Sequence, residues 1–159
     1  VTRVWLEPPA QIHPGVKAAI STFDAVVIGP GSFFTSLMPT LLVDGVADVL
    51  ADVKGPIVVV TNLLTEGQGM RGFTAADAVS WVSRTIGRPV DVVIANDGRP
   101  SAEGLARYAA EHKHPLAVGT PPPGTELVVG DFWRSEMARH DRQRLSYAVW
   151  SVLSRRLLT

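Results

Sequence analysis

Four short β-branched runs, separated by stretches with helical spacing, constrain this chain more than any other feature. Ala25-Val-Val-Ile-Gly29, Pro56-Ile-Val-Val-Val-Thr-Asn62, Asp91-Val-Val-Ile-Ala-Asn96 and Pro115-Leu-Ala-Val-Gly119 are almost continuously apolar. A strand wetted on one side alternates apolar with polar residues, whereas a strand without alternation is buried on both faces, as in a parallel sheet. Between the runs, Leu42, Val46, Val49, Leu50 and Val53, then Val79, Val82 and Ile86, then Leu105, Tyr108, Ala109 and His112 recur at helical spacing. Each set lays one apolar stripe against a sheet. The repeated unit is βα. Right-handed crossovers of such units predict an α/β fold, a Rossmann-like three-layer sandwich with a mostly parallel sheet and helices on both faces.

The punctuation agrees with that pattern. Thr74 followed by Asp77 has the form of a capping box, and Ser101 stands as N-cap of the third helix. Gly55-Pro56 and Gly87-Arg-Pro89 end the preceding helices. Thr2 to Glu7 is expected to add a strand and His13 to Thr22 a short helix. After Gly119, Thr120-Pro-Pro-Pro-Gly124 predicts a stiff, exposed connector and Glu126 to Val129 a short strand. Leu145, Ala148, Val149, Val152, Leu153 and Leu157 predict a closing amphipathic helix. With 159 residues, 46% of them apolar, the chain can bury one core, so residues 1–159 are expected to form a single domain.

Charge and composition narrow the partners. Fifteen basic residues against fifteen acidic give no net charge, which removes the footprint of a general nucleic-acid binder. The absence of cysteine excludes disulfides and thiolate metal sites and fits a reducing compartment. The apolar runs stop short of the roughly 18 residues a membrane span needs, and the opening residues carry no apolar signal core. A cytoplasmic location without a membrane partner is the expectation. Six of the twelve arginines lie between Arg134 and Arg156, where they read as the solvated face of the last helix. Tyr147 and Trp150 flank its stripe and offer a homodimer contact.

In an open parallel sheet, ligands bind beyond the carboxyl ends of the strands, where the following helices aim their free amides. The residues leaving the strands are Gly29-Pro-Gly-Ser-Phe-Phe-Thr-Ser36, Thr61-Asn-Leu-Leu-Thr65, Asn96-Asp-Gly98 and Gly119-Thr120. In the first, Gly29 and Gly31 permit close backbone approach, Pro30 stiffens the turn, and Ser32, Thr35 and Ser36 offer hydroxyls as a helix begins. That suits an anion, phosphate above all, and Pro39 in a first helical turn does not oppose it. A plain tight turn capped by Ser36 explains the same residues, and both readings stand. Glu66-Gly-Gln-Gly-Met-Arg-Gly72 reads as a mobile lid carrying Arg71 to a phosphate, or as a solvated loop. Asn96 and Asp97 either meet a base or sugar, or Asp97-Gly98 is a turn dipeptide.

Other chemistries find less support. His112 and His114 have no third ligand at metal-binding spacing. Arg139-His-Asp141 sets a histidine beside a carboxylate, or starts a helix with an acidic cap. Gly31-Ser32 lacks the second glycine of a G-x-S-x-G elbow, and no G-x-x-x-x-G-K-[ST] loop is present. No catalytic residue is assigned.

The string Val27-Ile-Gly-Pro-Gly-Ser-Phe-Phe-Thr-Ser-Leu-Met-Pro-Thr-Leu-Leu-Val-Asp-Gly-Val46 resembles the family that joins 2-phospholactate transferases (CofD) with the YvcK-type gluconeogenesis factors, and the second more closely. The resemblance continues through Asn62-Leu-Leu-Thr65, Gly72-Phe-Thr with Asp77, Asp91 to Asn96 and Arg139-His-Asp141. It covers the later half of a family member, since nothing like the family's opening GGGTG-type loop precedes Val1 to Pro8. It implies a Rossmann-like protein that binds a nucleotide or nucleotide sugar, a uridine diphosphate sugar in the YvcK kind, in control of carbon metabolism and cell-envelope synthesis. Gly29, Pro30, Gly31, Ser32, Phe33, Thr35 and Ser36 with Asn62 and Thr65 would then contact the ligand, with Arg71, Asn96 and Asp97 at the same edge. A transferase of the CofD kind would instead use Mg²⁺, with Asp77 or Asp97 as its ligand. A non-catalytic interaction or dimerisation module is the third alternative.

Overall fold

The computed structural model describes residues 1–135 and 137–158. In chain order its elements are α1 (Pro14–Ile20), β1 (Val26–Ile28), a π-helical turn (Phe33–Leu37), α2 (Met38–Leu41), α3 (Val46–Asp52), β2 (Ile57–Val60), a 3₁₀ turn (Gly67–Met70), α4 (Ala75–Ile86), β3 (Val92–Asn96), α5 (Ala102–Ala109), β4 (Glu126–Gly130), β5 (Trp133–Arg134), β6 (Met137–His140) and α6 (Arg142–Leu157). Strands β1 to β4 form one parallel sheet in sequence order, and β5 pairs antiparallel with β6.

The unbroken apolar character of β2 and β3 has its expected cause, since every residue of both is buried. Successive side chains point to opposite faces. Ile57, Val59, Val93 and Ala95 therefore meet α2, α3 and α4, through Leu41, Leu50, Val79 and Val82. Val58, Val60, Val92 and Ile94 meet α5 and α6, through Leu105, Tyr108, Leu145, Val149 and Val152. These two cores make the three layers, and each fully buried aliphatic side chain contributes about 1.5–3 kcal/mol. Helix α4 carries the capping box read from its sequence, Thr74 and Asp77 each bonding the other's backbone N–H, and ends on left-handed Gly87. Ser101 caps α5 and Asp141 caps α6.

Three expectations about elements need correction. Thr2 to Glu7 forms no strand; Val1 and Trp5 are exposed, so the run has no sheet to bury it. Pro115 to Gly119 joins the sheet nowhere and makes only isolated bridges, Pro115 with Leu64 and Ala117 with Thr74. The fourth strand is Glu126–Gly130, whose half-buried alternation marks a sheet edge. The stripe from Leu42 to Val53 is not one helix, because left-handed Gly45 separates α2 from α3. Within the Glu66–Gly72 stretch, Met70 is buried in the first core.

Candidate functional site

Two loops leave β1 and β2 at the same rim of the sheet. Gly29 begins the first in the left-handed region (φ 87°), and a Cβ there would lie 2.6 Å from the Val60 carbonyl oxygen. Only glycine lets the turn run this tightly against β2. Beyond Pro30 the chain closes into the π-helical turn, with the Ser36 and Leu37 amides both donating to the Ser32 carbonyl.

The head of that turn already holds a negative oxygen. Glu66 Oε2 accepts the Ser32 hydroxyl at 2.8 Å and the Phe33 N–H at 3.1 Å. Glu66 Oε1 accepts Asn62 Nδ2 at 2.9 Å, and the same Nδ2 donates to the Gly31 carbonyl at 2.9 Å. The Thr35 hydroxyl bonds that of Ser32. Three donors thus orient one carboxylate on this wall.

The facing wall comes from β6 and the end of α5. Tyr108 Oη accepts the Ala138 N–H at 2.9 Å and ties the two elements together. His140 Nε2 lies 3.2 Å from the Thr61 carbonyl oxygen. A carbonyl only accepts, so Nε2 carries the proton and Nδ1 is the acceptor of the neutral ring. Burial pushes the His140 pKa below the usual histidine value, against a smaller opposing effect of the bond to Thr61. Lys113 pairs with Glu111, whose hydrogen bond and charge raise the lysine pKa and keep it protonated. Between the walls lies a cleft of about 570 Å³, lined by Gly31, Ser32, Asn62 and Glu66 on one side and Lys113, Arg139 and His140 on the other. Its size suits a small molecule.

The other residues expected from sequence lie elsewhere or are taken up by the fold. Thr65 lines the cleft, but its N–H donates to the His114 carbonyl and its hydroxyl accepts the His114 N–H. Arg71 does not reach this cleft; it lines a separate cavity behind Thr65. Asn96 is buried, with Nδ2 donating to the Gly98 carbonyl and Oδ1 accepting the Phe132 N–H. It joins the loops after β3 and β4. Asp97 is exposed and lines none of the cleft. Asp77 Oδ2 accepts both the N–H and the hydroxyl of Thr74.

Sequence reasoning missed Glu66, Lys113 and Tyr108 as site residues. Glu66 is the one carboxylate within four residues of Asn62 on its C-terminal side, and that spacing was the available signal. Arg139 and His140 stood in the family-like string near the C-terminus, yet nothing marked Trp133 to His140 as a hairpin. Ser135, in the left-handed region at φ 53°, stands where hairpin turns favour Asn or Gly.

The sequence profile of the family described as 2-phospho-L-lactate transferase CofD matches residues 1–132. The chain belongs to the CofD family. Its similarity is strong to curated gluconeogenesis factors. It is 33% identical over 147 residues to a putative gluconeogenesis factor of Nostoc sp., which covers 87% of this chain and 32% of that protein. It is 29% identical over 157 residues to the gluconeogenesis factor of Listeria monocytogenes, covering 96% of this chain and 49% of the relative. A crystal structure of a UPF0052 family protein from Bacillus halodurans superposes with a TM-score of 0.83 at 28% identity, over 94% of this chain and 50% of that one. This CofD-like, gluconeogenesis-factor-like chain thus spans between a third and a half of the length of these relatives. Among the described residues no helix is long and apolar enough to cross a membrane.

Proposed function

We propose that this chain carries part of the binding site of a regulatory protein for a nucleotide sugar, a uridine diphosphate sugar, in the cytoplasm. The observation that carries the reading is the cleft with two unlike walls. Lys113 and Arg139 supply positive charge for a diphosphate on one side. On the other, the Phe33 amide and Ser32 hydroxyl are held by Glu66, so this wall suits hydroxyl groups, which donate to an oriented carboxylate. This refines the expectation that phosphate sits on the Gly29–Ser36 turn. In the proposed pose the turn positions Glu66, and Glu66 with Asn62 reads the sugar or ribose.

The transferase alternative fits these residues less well. Mg²⁺ takes hard oxygen ligands in an octahedral set. Asp77 caps α4 and Asp97 lies outside the cleft, while among the described residues Glu66 is the one carboxylate lining it. A self-association reading draws on Tyr147 and Trp150, which are 76% and 69% exposed on α6; light scattering that shows a dimer lost on Trp150→Ala would support it.

Calorimetric titration of the chain with UDP-glucose, UDP and glucose tests the ligand. Saturable binding of UDP-glucose is expected, tighter than UDP, and weakened about tenfold or more by Arg139→Gln through loss of a charge-assisted contact. No saturable heat with any of the three, or unchanged affinity in Arg139→Gln, overturns the reading.

A further inference from the structure

Behind the Thr65–His114 pair lies a second cavity of about 560 Å³, lined by Thr65, Gln68, Arg71, His112, His114 and the apolar Met70, Phe73, Pro115 and Ala117, with Gly67 and Gly72. Among the described residues its lining has one permanent cation, two imidazoles and an amide, and no carboxylate. In a chain with equal numbers of acidic and basic residues that grouping is uneven. The neighbouring acids face other partners: Glu66 accepts Ser32, Phe33 and Asn62, and Glu111 pairs with Lys113. Arg71 makes no ion pair among the described residues.

The backbone supplies a second, independent observation. Helix α5 closes with the His112 N–H donating to Ala109 O and the Lys113 N–H to Tyr108 O, the pattern of a Schellman end. The residue at its left-handed position is His112, at φ 54°, where glycine is the usual occupant and a side chain costs about 1 kcal/mol. This left-handed turn sets His112 on the cavity wall beside Arg71 and His114.

We propose that this cavity is a second ligand site, separate from the cleft, for the oxyanion of a small molecule with an apolar body. Arg71 and the two histidines take the phosphate or carboxylate, and Met70, Phe73 and Pro115 receive the body. The site communicates with the cleft through Thr65, which lines both cavities and bonds His114 through its amide and its hydroxyl.

The test follows the Cε1–H resonances of His112 and His114 by two-dimensional NMR while phenyl phosphate, inorganic phosphate or benzoate is added to the chain at fixed pH. Saturable shifts of both resonances are expected, with phenyl phosphate tighter than inorganic phosphate, and the benzoate arm showing whether a carboxylate serves as well. Arg71→Gln, at an exposed position that leaves the fold intact, should weaken binding at least tenfold, whereas Arg139→Gln in the cleft should leave it within twofold. Shifts that rise linearly without saturating, or equal affinity in native and Arg71→Gln protein, would overturn the proposal. Failure of UDP-glucose to bind the cleft would not touch it.

Discussion

Replacing Glu66 by glutamine tests the geometry of the cleft through one atom. The carboxylate offers two acceptors to three donors, Ser32 Oγ, the Phe33 amide and Asn62 Nδ2. Glutamine offers one acceptor and one donor. If its oxygen takes the Oε2 place, its nitrogen faces Asn62 Nδ2 donor to donor. Asn62 cannot turn over to relieve this, because its Nδ2 also donates to Gly31 O at 2.9 Å. If instead the nitrogen takes the Oε2 place, it meets the Phe33 N–H, which the backbone fixes. Every arrangement loses at least one charge-assisted bond, worth roughly 1.5–3 kcal/mol when shielded. The cleft is open to water, which solvates part of that loss, so Glu66→Gln should cost about 1–2 kcal/mol. In a chain of this size that lowers Tm by roughly 2–8 °C. Urea unfolding followed by tryptophan fluorescence measures it as a lower midpoint at unchanged slope. A variant within about 0.3 kcal/mol of the native protein would show that the three-donor arrangement does not hold in solution.

Other positions give sharper contrasts. Gly55→Ala places a methyl 1.5 Å from the Asp24 carbonyl oxygen, a backbone clash expected to cost about 3 kcal/mol or more, read as a large loss of urea midpoint or of soluble yield. Thr74→Ala removes the capping box of α4 and should cost about 1 kcal/mol; Asp77→Ala should cost a similar amount while leaving ligand affinity unchanged in calorimetry with and without Mg²⁺, as a cap would and a metal ligand would not. His140 has a folded pKa held below its unfolded value of about 6.5 by burial. Its neutral form favours the fold, so its contribution is complete above pH 6.5 and declines as pH falls through the lower folded pKa. Comparing the pH dependence of urea midpoints in native and His140→Gln protein between pH 5 and 7 should show a shallower slope in the variant, and an NMR titration of His140 should give a midpoint below 6.5.

The sheet was legible wherever burial on both faces left its mark. Val58, Val59 and Val60, and Val92, Val93 and Ile94, run without an intervening polar residue because both sides of the sheet are covered. The same rule misled at Pro115 to Gly119, where Leu116 enters the first core while the backbone only bridges Leu64 and Thr74. A short apolar run does not say which neighbour its backbone will pair with. Edge strand β4, expected at Glu126 to Val129, shows the converse pattern, since one face of an edge residue such as Val129 stays in water. The first wall of the cleft was visible in Gly29, Ser32 and Asn62, which share the exits of adjacent strands. Its opposite wall was not, because Lys113, Arg139 and His140 meet it only through α5 and a hairpin whose turn has no strong sequence signal. Glu66 could be seen as a loop residue, but not as the acceptor of the Phe33 amide, which depends on two loops meeting.

A crystal structure of the chain with UDP-glucose tests the central claim most directly. The account predicts diphosphate oxygens within hydrogen-bonding distance of Lys113 or Arg139, and a sugar or ribose hydroxyl on Glu66, with the Ser32 and Phe33 donors still on that carboxylate. Density for the nucleotide at another face of the sheet, or a phosphate seated on the Phe33 amide with Glu66 swung away, would contradict it.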